Sequence, residues 1–217
     1  NRFSIQMEAT GLQSINYTAN GFLGAFALNL QQLQVQPPAG YSPERVEELL
    51  AQYPGAPAAG EEFDVVVVLS ESFCDIRELP GLTFSQNPLT NFDAIRARDN
   101  CYSGTLYTNA IGGGTVRPEF ELLTGLDTEA LPSGSTPYEY VTRPLESYIS
   151  NYRDAGYRTV AIHPFIPEFY ARDIAYPYLG FDAFYSHRDL EQMAPLFYKR
   201  GYVTDQSLEP IMEQLLD

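Results

Sequence analysis

The run Val65-Val66-Val67-Val68-Leu69 constrains this chain more than any other stretch. Branching at Cβ crowds a helix and suits a pleated strand. Because the run lacks period-2 alternation, it reads as a strand buried on both faces, as in the parallel sheet of an α/β protein. It is entered through Phe63-Asp64 and continues as Ser70-Glu71-Ser72-Phe73. Glu71 is therefore expected just past the carboxyl end of the strand, where open α/β sheets form their ligand crevice. A carboxylate there is a hard oxygen donor for a divalent cation. The same residue also suits a surface position, or the first turn of a helix following Ser70, where negative charge is favoured.

A second stretch is more specific: Gly112-Gly113-Gly114-Thr115-Val116-Arg117-Pro118-Glu119-Phe120-Glu121-Leu122-Leu123-Thr124-Gly125. The glycines permit positive φ and close backbone approach. The spacing predicts a helix over about Val116 to Leu123, with Thr115 as N-cap and Pro118 and Glu119 in the first turn. A hydroxyl at that position sits among free amides in the positive field of a helix N-terminus, which suits a phosphate. To act as a nucleophile it needs a base, a metal or both. Most Gly-Thr helix starts are simple caps, and that reading of Thr115 is equally compatible with this stretch.

Taken together, Leu-Ser-Glu-Ser-Phe after a valine run and Gly-Gly-Thr-x-x-x-Glu-Phe-Glu-x-Leu-Thr-Gly resemble the lipoteichoic acid synthase or phosphoglycerol transferase family, within the sulfatase and alkaline phosphatase superfamily. A third stretch agrees, His163-Pro164-Phe165-Ile166-Pro167-Glu168-Phe169-Tyr170-Ala171-Arg172-Asp173, followed by Tyr178-Leu179-Gly180-Phe181-Asp182. The similarity spans about Phe63 to Phe184. It implies a sulfatase/alkaline-phosphatase-like α/β fold with a central sheet flanked by helices. It also implies a divalent metal on Glu71 and Thr115, manganese first and magnesium or zinc second. Thr115 would be the nucleophile as well as a ligand, and His163, Arg172 and Tyr170 would bind the phosphoglycerol group, Tyr170 replacing a tryptophan often found there.

One family feature is absent from the sequence. The family completes its metal site with an adjacent Asp-His pair downstream of Leu-Gly-Phe-Asp, and this chain contains no Asp-His dipeptide. Its two histidines are His163 and His187, and His187 reads as a surface loop residue. The expectation is an incomplete domain, residues 61–217 being the N-terminal portion of a sulfatase-like catalytic domain that is inactive by itself.

At 217 residues with 44% hydrophobic content the chain can bury a core. Thirteen basic against 28 acidic residues argue against a nucleic-acid partner. The same balance disfavours docking on anionic lipid, and an enzyme for phosphate esters would then depend on a metal and on Arg172 for local positive charge. Cys74 and Cys101 are too few for a disulfide framework and read as buried free thiols, near each other at the sheet edge.

The longest apolar run, Gly21 to Leu28, is shorter than the roughly 20 residues a spanning helix needs, and no signal-peptide pattern is present. The resemblance implies transmembrane helices upstream and a catalytic domain outside the cell membrane. Residues 1–60 would be a helical connector following that membrane region. Their content fits: a helix near Tyr17 to Leu33, a Pro37-Pro38-Ala39-Gly40 break, a helix capped by Ser42, and a linker from Tyr53 to Gly60. Further on, the patterning predicts a helix near Leu89 to Arg98, a strand near Tyr102 to Tyr107, a helix near Glu139 to Ala155 ended by Gly156, a strand Arg158 to His163, and a final helix Asp205 to Leu215. His163 then falls at a strand end, as Glu71 does.

The function these readings imply is metal-dependent transfer of phosphoglycerol, or a related phosphoester group, from a lipid donor through Thr115, with a glycerophospholipid or polyglycerolphosphate-like substrate. Two alternatives remain beside it. One is a phosphodiesterase or sulfate-ester hydrolase of the same superfamily, although the Cys/Ser-x-Pro-x-Arg nucleophile pattern of sulfatases is absent. The other is a non-catalytic domain that binds a glycan or lipid headgroup.

Overall fold

A computed structural model describes residues 13–32, 37, 39–53, 63–70, 73–108, 110, 113–132 and 135–216. These fall into two compact units, residues 66–108 forming the smaller one and the rest of the chain the larger.

In the larger unit, α1 (Gln13–Gln32) breaks at Gly21, whose φ of 67° and ψ of 173° leave the helical region. Among the described residues no helix is long and apolar enough to cross a membrane. Helix α2 (Pro43–Leu50) starts as expected, with the Ser42 side chain accepting from Arg45 N–H and Pro43 opening the first turn.

The smaller unit holds a 3-10 turn (Ile76–Glu78) and α3 (Thr90–Arg96). Arg77 ties them together. Its Nη1 and Nη2 donate to the Asp93 carboxylate at 2.7 and 3.0 Å, while Nε donates to Asp75 at 2.8 Å.

The core that positions the site is built by the larger unit. Helix α4 (Val116–Thr124) ends at Gly125, whose φ of 72° closes it. After a 3-10 turn (Pro137–Tyr140) comes α5 (Tyr148–Asp154), opened by a Ser147/Ser150 capping box. Strand β1 (Val160–His163) pairs in parallel with β2 (Ala183–Ser186), in the register Val160↔Ala183 to His163↔Ser186. Parallel strands require a crossover, and α6 (Arg172–Leu179) supplies it. Then follow α7 (His187–Met193), a hairpin of β3 (Tyr198–Lys199) and β4 (Tyr202–Val203), and α8 (Glu209–Leu216). Val116, Phe120, Tyr138, Val141, Ala175, Tyr176 and Leu179 pack into one core, with Phe181 and Phe184 against it.

The Leu-Gly-Phe-Asp stretch closes this βαβ unit. Leu179 is fully buried, and the Phe181 ring lies 4.9 Å from that of Tyr176. Gly180 has φ of 103°, and a Cβ there would meet Ser150 Cα at 2.8 Å, so the position accepts only glycine. The Asp182 carboxylate accepts from Thr159 N–H at 2.8 Å and from the Thr159 hydroxyl at 3.0 Å, pinning the start of β1 to the start of β2.

Several expectations need correction. Residues 63–70 form no strand and are exposed, Val68 by 72%. Burial on both faces requires paired strands and covering helices, and side-chain propensity supplies neither. Tyr102 to Tyr107 likewise makes no ladder, and Tyr102 is 97% exposed. The helix expected from Glu139 is confined to Tyr148–Asp154. Pro144 explains this: it lacks an N–H and disfavours helical geometry at Arg143, so the helix waits for the Ser147 cap. His187 opens α7 instead of lying in a loop. Both cysteines are free as expected, but Cys74 is exposed and Cys101 only partly covered.

Candidate active site

Gly113 and Gly114, with φ of 127° and 73°, turn the chain into α4. Thr115 follows with helical dihedrals (φ −58°, ψ −17°), and its side chain makes no capping bond. Arg117 N–H bonds the Gly114 carbonyl at 2.9 Å instead. Thr115 is half-buried at the helix N-terminus, and its hydroxyl is not consumed by the cap role that the sequence also allowed. Glu71 lies outside the described residues.

One turn below Thr115 sits a residue that the sequence reading placed merely in the first turn. Glu119 is only 5% exposed. Its Oε1 accepts from Tyr138 Oη at 2.7 Å, Tyr176 Oη at 2.7 Å and Arg172 Nε at 2.9 Å, while Oε2 accepts from Arg172 Nη2 at 2.5 Å. Burial by itself would push this carboxyl up. The hydrogen bonds and charge of Arg172, together with the two phenols, outweigh it and hold the group below the usual carboxylate range. Burial and the Glu119 charge push both Tyr138 and Tyr176 well above the ordinary phenol value, so each stays protonated and donates.

Arg172 opens α6 and is 1% exposed. The fork that the resemblance assigns to phosphoglycerol engages Glu119 here, and Nη1 donates to the Phe169 carbonyl at 3.3 Å. Just before it, Tyr170 and Ala171 both adopt left-handed backbone, with φ of 61° and 59°. Each such non-glycine residue costs roughly 1–3 kcal/mol and persists only where surrounding contacts impose it. This turn sets two aromatic rings against the guanidinium, with Arg172 Cζ 5.2 Å from the Tyr170 centroid and 5.9 Å from that of Phe169.

His163 ends β1 at the carboxyl edge, as predicted. Its Nδ1 is buried and has no hydrogen-bond partner among the described residues. Burial first, and then the Arg172 charge, push the imidazole down to about 4, against a smaller opposing effect of Glu119. The ring is therefore neutral at physiological pH, and the burial and Arg172 charge that keep it so oppose its protonation. Thr115, Arg172, Tyr170 and His163 all belong to the larger unit, and Glu119 ties the helix of the first to the helix of the second.

Glu119, Tyr138 and Tyr176 were missed by sequence reasoning, although a signal existed. Val116, Glu119 and Phe120 share the buried face of α4, and Arg172, Ala175, Tyr176 and Leu179 share that of α6. On each helix a charge occupies the apolar stripe, and a charge so placed needs an opposite partner.

Residues 64–217 match the family model for sulfatases. The chain belongs to the sulfatase family. It is 36% identical over 199 residues to a Rhizobium meliloti (strain 1021) protein whose name assigns it provisionally to cyclic β-1,2-glucan modification; the match covers 90% of this chain and 30% of the relative. The chain thus spans under a third of that relative's length. A structural match to the lipoteichoic acid synthase LtaP from Listeria monocytogenes has a TM-score of 0.38 and 22% identity, covering 48% of this chain and 25% of that one.

Members of this superfamily generally use divalent metals. Among the described residues no group of three or more His, Cys, Asp or Glu could hold an ion. Of the two ligands expected from the sequence, Thr115 lies among the described residues, and its hydroxyl is an oxygen donor of the kind a hard divalent ion takes.

Proposed function

We propose that this chain carries the nucleophile and part of the substrate site of a phosphoglycerol transferase that acts at the cell envelope. The observation that carries the reading is the Thr115 hydroxyl, presented by a glycine turn at the start of α4 and making no capping bond. A helix N-terminus offers amides and a favourable field to a phosphate oxygen. Thr115 Oγ would attack phosphorus, forming the new P–O bond as the bond to the diacylglycerol oxygen breaks, and that oxygen leaves with a proton. A hydroxyl of the acceptor then attacks the phosphothreonine and releases Thr115. The neutral His163 ring suits orientation of the glycerol through a hydrogen bond. A divalent ion, expected on Glu71 and Thr115 with further ligands from outside this chain, would lower the hydroxyl pKa and polarise the phosphate.

The name of the Rhizobium meliloti relative suggests a glucan as acceptor. A lipid donor would bring the reaction to a membrane surface. The sulfate-ester hydrolase reading is disfavoured by the lack of a Cys/Ser-x-Pro-x-Arg nucleophile.

The test is to incubate the full-length protein and residues 1–217 separately with a phosphoglycerol lipid and Mn²⁺, and to look for a phosphoglycerol adduct on Thr115 by mass spectrometry. The adduct and turnover are expected in the full-length protein and near background in residues 1–217. Equal turnover by the 217-residue chain would overturn the incomplete-site part of the reading. Turnover that survives Thr115→Ala would overturn the nucleophile.

A further inference from the structure

We propose that Glu119 is a positioning residue for this transfer, fixing Arg172 and the adjoining Phe169–Tyr170 aromatic pair relative to the helix that presents Thr115. The inference rests on the reading of Thr115 as the nucleophile. Three independent features meet at this carboxylate.

The first is spacing. Glu119 N–H bonds the Thr115 carbonyl at 3.3 Å, so the two residues are successive turns of one helix and any displacement of Glu119 is felt at Thr115. The second is the number and direction of its bonds. Four donors from three residues on two other elements, Tyr138 of the 3-10 turn and Tyr176 and two arms of Arg172 on α6, converge on two oxygens. A planar guanidinium held at two points cannot rotate, unlike one held through a single nitrogen. The third is backbone strain. The left-handed Tyr170–Ala171 turn immediately precedes Arg172 and stacks both aromatic rings near its guanidinium.

A buried pair of this kind is weak evidence for stability as such, since well-packed apolar residues fill the same volume at equal or lower free energy. What apolar side chains cannot supply is direction. Glu119 fixes the orientation of α6 and its preceding turn against α4 through four angular constraints. Its distance from the surface keeps it from touching substrate, so its effect is exerted through Arg172 and Thr115.

The experiment uses the full-length protein, a phosphoglycerol lipid and Mn²⁺, with kcat, KM and thermal midpoint measured for each variant. Thr115→Ala sets the reference. Glu119→Gln keeps the volume but removes the charge that orients Arg172, and is expected to lower kcat by about 10- to 100-fold with KM within about twofold, as displacement of reacting groups by an ångström does. The double variant Glu119→Gln/Arg172→Gln should be no more than about threefold below the worse single one, because both act on one unit.

Should Glu119→Gln fail to fold, Tyr138→Phe and Tyr176→Phe each remove one bond to Oε1 and are read in the same way, with kcat expected to fall by several-fold. A folded Glu119→Gln protein with unchanged kcat overturns the inference while an inactive Thr115→Ala leaves the function intact. Losses that multiply in the double variant overturn it too, as does unchanged kcat in both tyrosine variants. Full activity in Thr115→Ala removes the functional reading itself, and the positioning role with it.

Discussion

Arg172 reaches back from the start of α6 to hold Glu119 of α4 through Nε at 2.9 Å and Nη2 at 2.5 Å, with both side chains almost completely buried. The two residues are 53 positions apart in sequence. Their contact links the glycine-threonine turn to the histidine-aromatic-arginine stretch, two motifs that have no local reason to meet.

Removing one member of that pair strands the other's charge in the core. Arg172→Met in the 217-residue chain is expected to lower unfolding free energy by about 3–5 kcal/mol, and Arg172→Lys by less, since the ammonium keeps charge but loses the fork. Urea unfolding followed by circular dichroism measures both. A loss below about 1 kcal/mol for Arg172→Met would show that the pair is solvated in solution.

Thr115→Ala should separate chemistry from capping. Because the hydroxyl makes no capping bond, the variant should unfold within about 0.5 kcal/mol of the parent, whereas loss of a true N-cap costs about 1 kcal/mol. In the full-length protein the same change should abolish turnover. A clear drop in stability with activity retained would reassign Thr115 to the cap.

His163 makes stability depend on pH in a defined direction. The folded state holds its imidazole near 4 against an ordinary value of 6.5, so as pH falls the unfolded chain takes up this proton first. The contribution is fully present above about 6.5 and is lost progressively down to about 4, on the order of 2–3 kcal/mol in all. Denaturation series from pH 7 to 4 should therefore show a steeper loss for the parent than for His163→Gln. Parallel slopes would mean that the ring is hydrated.

Gly180→Ala should destabilise the fold by about 2 kcal/mol or more, because the new Cβ meets Ser150 backbone at 2.8 Å and the residue must keep φ of 103°. Thermal unfolding of the 217-residue chain reads the effect directly. A neutral result would place α5 farther from the β2 approach than the structure has it.

Much of the local structure was legible from side-chain chemistry that acts within a few residues. Ser42 capping Pro43–Leu50, the glycines before Thr115, the α4 helix and the strand ending in His163 all follow from dihedral preference, capping and periodicity. The family too was legible, since ordered motifs survive in sequence whatever the packing. Tertiary structure decided the rest. The valine run has strand propensity, but a strand exists only when another backbone pairs with it, and residues 63–70 have no ladder here. Arg172 likewise carries donors that suit a phosphate, yet whether they point at substrate or at Glu119 depends on how α6 lies on α4. Sequence fixed which groups were available, and the long-range contacts fixed their partners, because desolvating a charge in a core forces it onto an opposite charge that local sequence does not specify.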